Sequence, residues 1–235
     1  MPLILNIETS TPVCSVALTK DEDTIFEKVS FEGPSHASLI GVYVEEALNV
    51  LKAKNRKPDA IAVSSGPGSY TGLRIGVSIA KGLCFGYDIP LLSIPTLDIL
   101  AYTAIREQKE ENDGLYCAML DARRMEVYAS LYDAQLTIIR PTKAEVVDAY
   151  TYAPFLEKGK VCFFGNGAMK CKSVIHSSNA FFLEGIHPLA RNMAALSHKA
   201  FEKGQFEDVA YFEPFYLKKF QATVPKNKVL GANVR

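Results

Sequence analysis

The chain contains a faint copy of itself. When Ile7-Glu8 is laid over Leu120-Asp121 without gaps, the apolar run at 14–18 falls over the run at 127–131. Each half then opens with a strand that ends in a carboxylate, and a second strand returns beside it. An internal duplication of this kind constrains architecture more than any single motif, because both copies must find equivalent folds.

The pattern of elements repeats with it. In the first half, 3–8 and 13–20 read as a hairpin around Thr9-Ser10-Thr11-Pro12, and 24–31 as a more polar third strand. A helix over 36–54, a strand over 60–63, a helix over 71–87, a strand over 91–94 and a helix over 95–106 follow. The charged, turn-rich stretch at 107–114 marks the boundary. The second half offers strands at 115–121, 127–131, 136–140 and 161–164, a Gly165-Asn166-Gly167 turn, and a helix over 189–202. Domains are therefore expected at 1–106 and 115–216, with a basic tail over 217–235. Two βββαβα-type units of one pattern describe an α/β protein of the actin-like ATPase (ASKHA, RNase H-like) fold, with a cleft between its halves.

Residues 64–81 carry the strongest local signal. An apolar strand enters the turn Ser64-Ser65-Gly66-Pro67-Gly68-Ser69, and the turn opens directly into a helix. Unpaired backbone N–H groups and the positive end of the helix dipole meet there, so the turn either holds an anion or caps a tightly packed helix. Its spacing fits neither the P-loop, nor the dinucleotide fingerprint, nor a nucleophile elbow. The helix itself has two rows of small residues: Gly72, Gly76, Ala80 and Cys84, then Ser78, Gly82 and Gly86. Residues four apart share a face, and each mid-helix glycine costs roughly 0.5–1 kcal/mol against alanine. One row suffices for the helix's own sheet, which leaves the other for a partner.

The preceding helix points the same way. Leu39, Val42, Tyr43, Ala47, Val50 and Leu51 form one stripe, and Ile40, Val44 and Leu48 a neighbouring one. That apolar arc is wider than a helix lying on a single sheet needs. The second stripe, with Val44, is expected to face outward, as is Gly76. The docking residues expected are Leu39, Ile40, Tyr43, Val44, Ala47, Leu48 and Leu51, then Thr71, Gly72, Arg74, Ile75, Gly76, Ile79, Ala80 and Leu83. An isolated chain with such a face should pair with its own copy in a two-fold homodimer.

Composition excludes several classes. The 26 basic and 26 acidic residues give no net field for nucleic acid or an acidic membrane. Five scattered cysteines without a C-x-x-C spacing suit buried thiols in a reducing compartment, and the expected location is cytoplasmic. No H-E-x-x-H or paired histidine is present, so no metal site is expected. In an actin-like cleft each half would offer a carboxylate and a small-residue turn to a nucleotide. Glu8, Thr9 and Ser10 satisfy this in the first half. Asp121, Arg123, Gly165 and Gly167 are the counterparts, with Arg123 and Arg124 standing where room is wanted.

Five segments occur in order: Ile-Glu-Thr-Ser at 7–10, Ser-Gly-Pro-Gly-Ser-Tyr-Thr-Gly-Leu-Arg-Ile-Gly at 65–76, Asp-Ala-Arg-Arg-Met-Glu-Val-Tyr at 121–128, Gly-Asn-Gly-Ala at 165–168, and Glu-Pro-Phe-Tyr-Leu-Lys at 213–218. Together they resemble the TsaB (YeaZ) family, whose members are needed to make threonylcarbamoyladenosine (t6A) in tRNA. The resemblance implies a non-catalytic scaffold that docks a TsaD-like catalytic paralogue through helices 36–54 and 71–87 as a four-helix bundle. It further implies a TsaE-like ATPase in the complex, contact with tRNA through the complex, ATP or ADP bound in the assembly, no cofactor required by this chain, and no membrane. The catalytic relative carries a metal-binding histidine pair where this chain has Ile94 and Asp98. Two other readings stand beside this one: a self-sufficient actin-like kinase or carbamoyl-transferase acting through Glu8 and Asp121, and, more weakly, a glycoprotease-like peptidase. The tail cations Lys218, Lys219, Lys226, Lys228 and Arg235 are either a solvated end or a touch on tRNA phosphates.

Overall fold

A computed structural model describes residues 1–32, 36–108 and 114–218. The first half runs β1 (Leu3–Glu8), β2 (Cys14–Lys20), β3 (Asp23–Ser30), α1 (His36–Lys52), β4 (Ala60–Gly66), α2 (Tyr70–Tyr87), β5 (Leu91–Pro95) and α3 (Thr96–Glu107). The second runs β6 (Leu115–Asp121), β7 (Glu126–Tyr132), β8 (Ile138–Val146), α4 (Ala153–Leu156), β9 (Val161–Phe164), α5 (Ala168–Cys171), β10 (Ala180–Leu183), a 3-10 turn (Ala190–Met193) and α6 (Ala194–Glu202).

The duplication is visible in the sheets. The first has the order β3-β2-β1-β4-β5 and the second β10-β9-β6-β7-β8, so both place third, second, first, fourth and fifth strands side by side. In each the opening strand is antiparallel to its successor and parallel to the fourth. The overlay at Ile7-Glu8 and Leu120-Asp121 therefore corresponds to equivalent strand ends. β1 and β4 are buried along their whole lengths, which is why they read as unbroken apolar runs instead of alternating ones.

Helices cover both faces of each sheet, and the chain exchanges them between the halves. α1 and α2 pack on one face of the first sheet through Ile40, Val44, Ala47, Leu51, Val77, Ala80 and Cys84. The opposite face, with Ile4, Ala60, Ala62 and Leu92, is covered partly by Met193 and Ala200, which come from the end of the chain. α3 belongs by sequence to the first half, yet Leu97, Leu100, Ala101 and Ala104 pack with Tyr116, Ala118, Leu120 and Phe164 of the second sheet. The helix expected over 189–202 divides into the 3-10 turn and α6, and both lie on the first half.

Other differences from the sequence reading have local causes. The strand expected at 136–140 starts instead at Ile138 and runs to Val146, because the Asp133 carboxylate accepts from Gln135 and Thr137 N–H and prolongs the turn. Pro141 lies within that strand at an irregularity of the register, and β8 is an edge, where a missing N–H is tolerated. α4, α5 and β10 are four residues each, too short to leave a periodic trace. Part of the boundary at 107–114 and all of the tail beyond Lys218 lie outside the described residues.

Because α3 fills the core of the other half, truncating it should weaken the whole molecule. Leu100→Ala is expected to lower unfolding free energy by about 2–5 kcal/mol in chemical denaturation, with both halves melting in one transition.

Candidate functional site

The turn entering α2 is closed by the chain itself. Ser69 caps the helix, its Oγ accepting from Gly72 N at 3.2 Å, while Ser69 N donates to Ser10 O at 2.6 Å. Thr9 Oγ1 donates to Gly72 O at 2.8 Å. A Cβ at Gly72 would stand 2.0 Å from Thr9 O, one at Gly68 2.4 Å from Ser10 O, and one at Gly76 2.3 Å from Thr9 Oγ1. The β1–β2 turn thus rests directly on the first turns of α2, and of the two uses open to this helix start, capping is the one the geometry displays. The second half repeats the device: Gly165, with φ at +93°, and Gly167 abut the backbone of Met119 and Leu120 at the end of β6.

The two strand-end carboxylates have diverged. Glu8 is buried, and its Oε1 accepts from Ser10 N at 2.6 Å. Burial pushes its carboxyl up to about 7, against the lowering effect of its bonds to Ser10 and Ser64. Asp121 is half exposed, pairs with Lys170, and accepts from Arg123 N at 2.9 Å. Its own N–H donates to Asn166 Oδ1 at 2.9 Å. Of the candidate nucleotide residues, Thr9 and Ser10 are buried against α2, Gly165 and Gly167 against β6, and only Asp121 and Arg123 are open to solvent. Among the described residues no group of three His, Cys, Asp or Glu side chains is placed to hold a metal. Ile94 is part of the core, and Asp98 Oδ1 accepts from Tyr132 Oη at 2.7 Å.

The expected docking residues separate into two sets. Ile40, Val44, Ala47, Leu48 and Leu51 of α1 face the chain's own core, as do Gly72, Gly76 and Ala80 of α2. The stripe of Ile40, Val44 and Leu48 and the row holding Gly76, both expected outward, face inward instead: the sheet takes the stripe together with Ala47 and Leu51, and the β1–β2 turn takes the row. Leu39, Tyr43, Ile75, Ile79 and Leu83 are half-buried, and Thr71 and Arg74 exposed. Arg74 stacks on Tyr70, whose ring meets Tyr216 at 4.9 Å.

The second small-residue row of α2 stays outside. Gly82 and Gly86 are exposed, and a Cβ at either, or at Gly41 of α1, would meet nothing within 4 Å. Beside them Val42 is 49% and Phe85 86% exposed. Phe85 was not singled out from sequence, although a bulky apolar residue between Gly82 and Gly86 was the available signal. Also unforeseen is a strap at the chain's end: Glu207 bridges to Leu91, Lys81 Nζ donates to Ala210 O and Phe212 O, and Phe215 N donates to Ser65 O at 2.7 Å. Lys218 then pairs with Glu126 of the second half.

At the β6–β7 turn, Arg123 and Arg124 hold φ at +73° and +50°. Left-handed backbone costs an L-residue about 1–2 kcal/mol, and neither arginine was expected to adopt it.

A duplicated pair of 3-2-1-4-5 sheets with exchanged helices defines a two-lobed protein of the actin-like class. The family model for TsaD, tRNA N6-adenosine threonylcarbamoyltransferase, matches residues 32–226. The chain belongs to that family, and within it to the TsaB (YeaZ) group. It is 29% identical to the Escherichia coli tRNA threonylcarbamoyladenosine biosynthesis protein TsaB over 92% of this chain and 94% of that protein. It is 36% identical to the Bacillus subtilis TsaB over 55% of this chain, a match that spans 54% of the relative's length. The YeaZ structure from Pseudomonas aeruginosa superposes with a TM-score of 0.79 at 26% identity, covering 92% of this chain and all of the other. Among the described residues no helix is long and apolar enough to cross a membrane.

The Glu8 environment gives a pH signature. Its folded-state pKa lies above that of an unfolded chain, so the native state favours the protonated carboxyl. That contribution is complete below about pH 4.5 and is lost as pH rises through about 7. Glu8→Gln, which keeps an acceptor for Ser10 N, should match wild type near pH 4 and exceed it at pH 8 by up to about 3 kcal/mol. Denaturant melts at the two pH values read the difference.

Proposed function

We propose that this chain is the non-catalytic subunit of a t6A-synthesis complex, docking and activating a TsaD-like catalytic paralogue through the outer face of α1 and α2. One observation carries the reading: Gly41, Gly82 and Gly86 line exposed helix surface where their missing side chains serve no contact within the chain. Each glycine in an exposed helix interior weakens it by roughly 0.5–1 kcal/mol, and Val42 and Phe85 add apolar surface at the same place. Close approach of another chain's helices offsets both penalties, since small residues let backbones come near and the apolar side chains find cover. The half-buried Leu39, Tyr43, Ile75, Ile79 and Leu83 would form the rim of the contact.

On this reading the isolated chain uses the same face to form a homodimer. A TsaE-like ATPase joins the complex, tRNA is acted on by the assembly, and any ATP or ADP serves the assembly and is not turned over by this chain. The capped α2 terminus, filled by the chain's own turn, favours a scaffold over the alternative of a self-sufficient kinase or carbamoyl-transferase.

The test is co-purification with the TsaD-like paralogue of the same organism. Val42→Arg and Gly82→Arg are expected to abolish capture while circular dichroism and the melting temperature stay those of wild type. Val44→Arg and Gly76→Glu, by contrast, should unfold the chain, since both sites are internal. Full capture by folded Val42→Arg and Gly82→Arg proteins, or sustained ATP turnover by the pure chain, would defeat the proposal.

A further inference from the structure

Two adjacent arginines stand at the tip of the β6–β7 hairpin, on backbone that suits neither. The turn is closed by Glu126 N donating to Arg123 O and Ala122 N donating to Glu126 O, both at 3.1 Å, and its two consecutive positive φ values are ones that glycine, and next asparagine or aspartate, adopt at less cost than arginine. Side chains persist in such conformations where the site has a use for them. The fold itself makes no use of these guanidinium groups: both residues are exposed, and neither forms an ion pair among the described residues. The acids beside them are already matched, Asp121 with Lys170 and Glu126 with Lys218. Two positive charges are left over at one point of a chain whose acids and bases are equal in number.

Tyr128, partly buried, lies within electrostatic reach of Arg123 and Lys218. The described structure ends at Lys218, beside this turn, and the sequence that follows carries Lys219, Lys226, Lys228 and Arg235 with no acidic residue.

We propose that the Arg123–Arg124 turn is a direct contact for the phosphate backbone of RNA. Guanidinium groups fork onto phosphate oxygens, and a turn that holds two of them exposed presents both forks without a rearrangement of the sheet. Two guanidinium groups on consecutive residues suit successive phosphates of a polyanion better than one isolated phosphate. The choice of RNA as that polyanion rests on the proposed function, in which the assembly acts on tRNA.

The conformational strain makes the test sharp. Arg123→Asn combined with Arg124→Gly supplies the residues this backbone prefers, so the melting temperature should hold or rise while the charges vanish. Binding of the full chain to tRNA at low salt is then expected to weaken for every tRNA sequence alike, and the slope of log K against log salt to fall by about 2. Arg124→Gln alone, a milder change, should lower the slope by about 1. An unchanged slope in the folded double variant overturns the inference, as does a wild-type chain with no measurable tRNA binding. Poly-glutamate held by the wild type as tightly as tRNA, and released by the double variant, would assign the turn to an acidic protein instead. Loss of ADP binding with tRNA affinity intact would make it a nucleotide site. Capture of the TsaD-like partner, measured in parallel, is expected to be unaffected. A wild-type chain that fails that capture strikes the docking reading alone.

Discussion

The seating of α2 on the β1–β2 turn is the contact from which the rest of the first half takes its geometry. The backbone oxygens of Ser10 and Thr9 stand where side chains at Gly68 of the turn and Gly72 of α2 would otherwise be, and Thr9 Oγ1 stands where one at Gly76 would be. The helix is thereby drawn against the sheet along one row and rotated so that Ser78, Gly82 and Gly86 face away from it. α1 lies alongside with Ile40, Val44 and Leu51 turned inward. A single backbone-on-backbone approach therefore fixes both the interior of the lobe and the face it offers to the outside.

Exchange of helices makes the two lobes one object. α3 lies between the sheets, with Ile99 on the first and Leu97, Leu100, Ala101 and Ala104 in the core over β6, while the 3-10 turn with α6 returns to cover β1 and β5. The strap formed by residues 207–216 closes the loop, crossing the edge of β5 and the side of α2 before Lys218 reaches Glu126. Burial of this kind is shared, so neither half has a complete core alone.

Divergence between the duplicated halves is chemical more than architectural. Glu8 and Asp121 end equivalent strands, yet one is sealed among apolar groups with its carboxyl raised and the other sits in solvent beside Lys170. Where the first half has the short side chains Ser10 and Thr11, the second has Arg123 and Arg124 on strained backbone. A cleft with matched acids would point to catalysis, whereas this arrangement divides packing from surface charge.

The amino-acid order by itself determined the duplication, the strand sequence of the first half, the opening strands of the second, the helix start after Gly66 and the existence of one small-residue row more than the core could use. Those features follow from local periodicity and from residues with unusual backbone freedom, both of which can be read along a line. Which stripe of α1 faces the sheet was not legible, because the stripes of Val42 and Val44 are equally apolar and only contact with the sheet distinguishes them. Nor could periodicity foresee that α3 would bridge both sheets and α6 cover the first, that Lys81 would anchor a strap from residues far along the chain, or that Arg123 and Arg124 would be left-handed. Each depends on pairing between distant segments, where burial and hydrogen-bond partners are settled by three-dimensional packing and leave no mark on neighbouring residues.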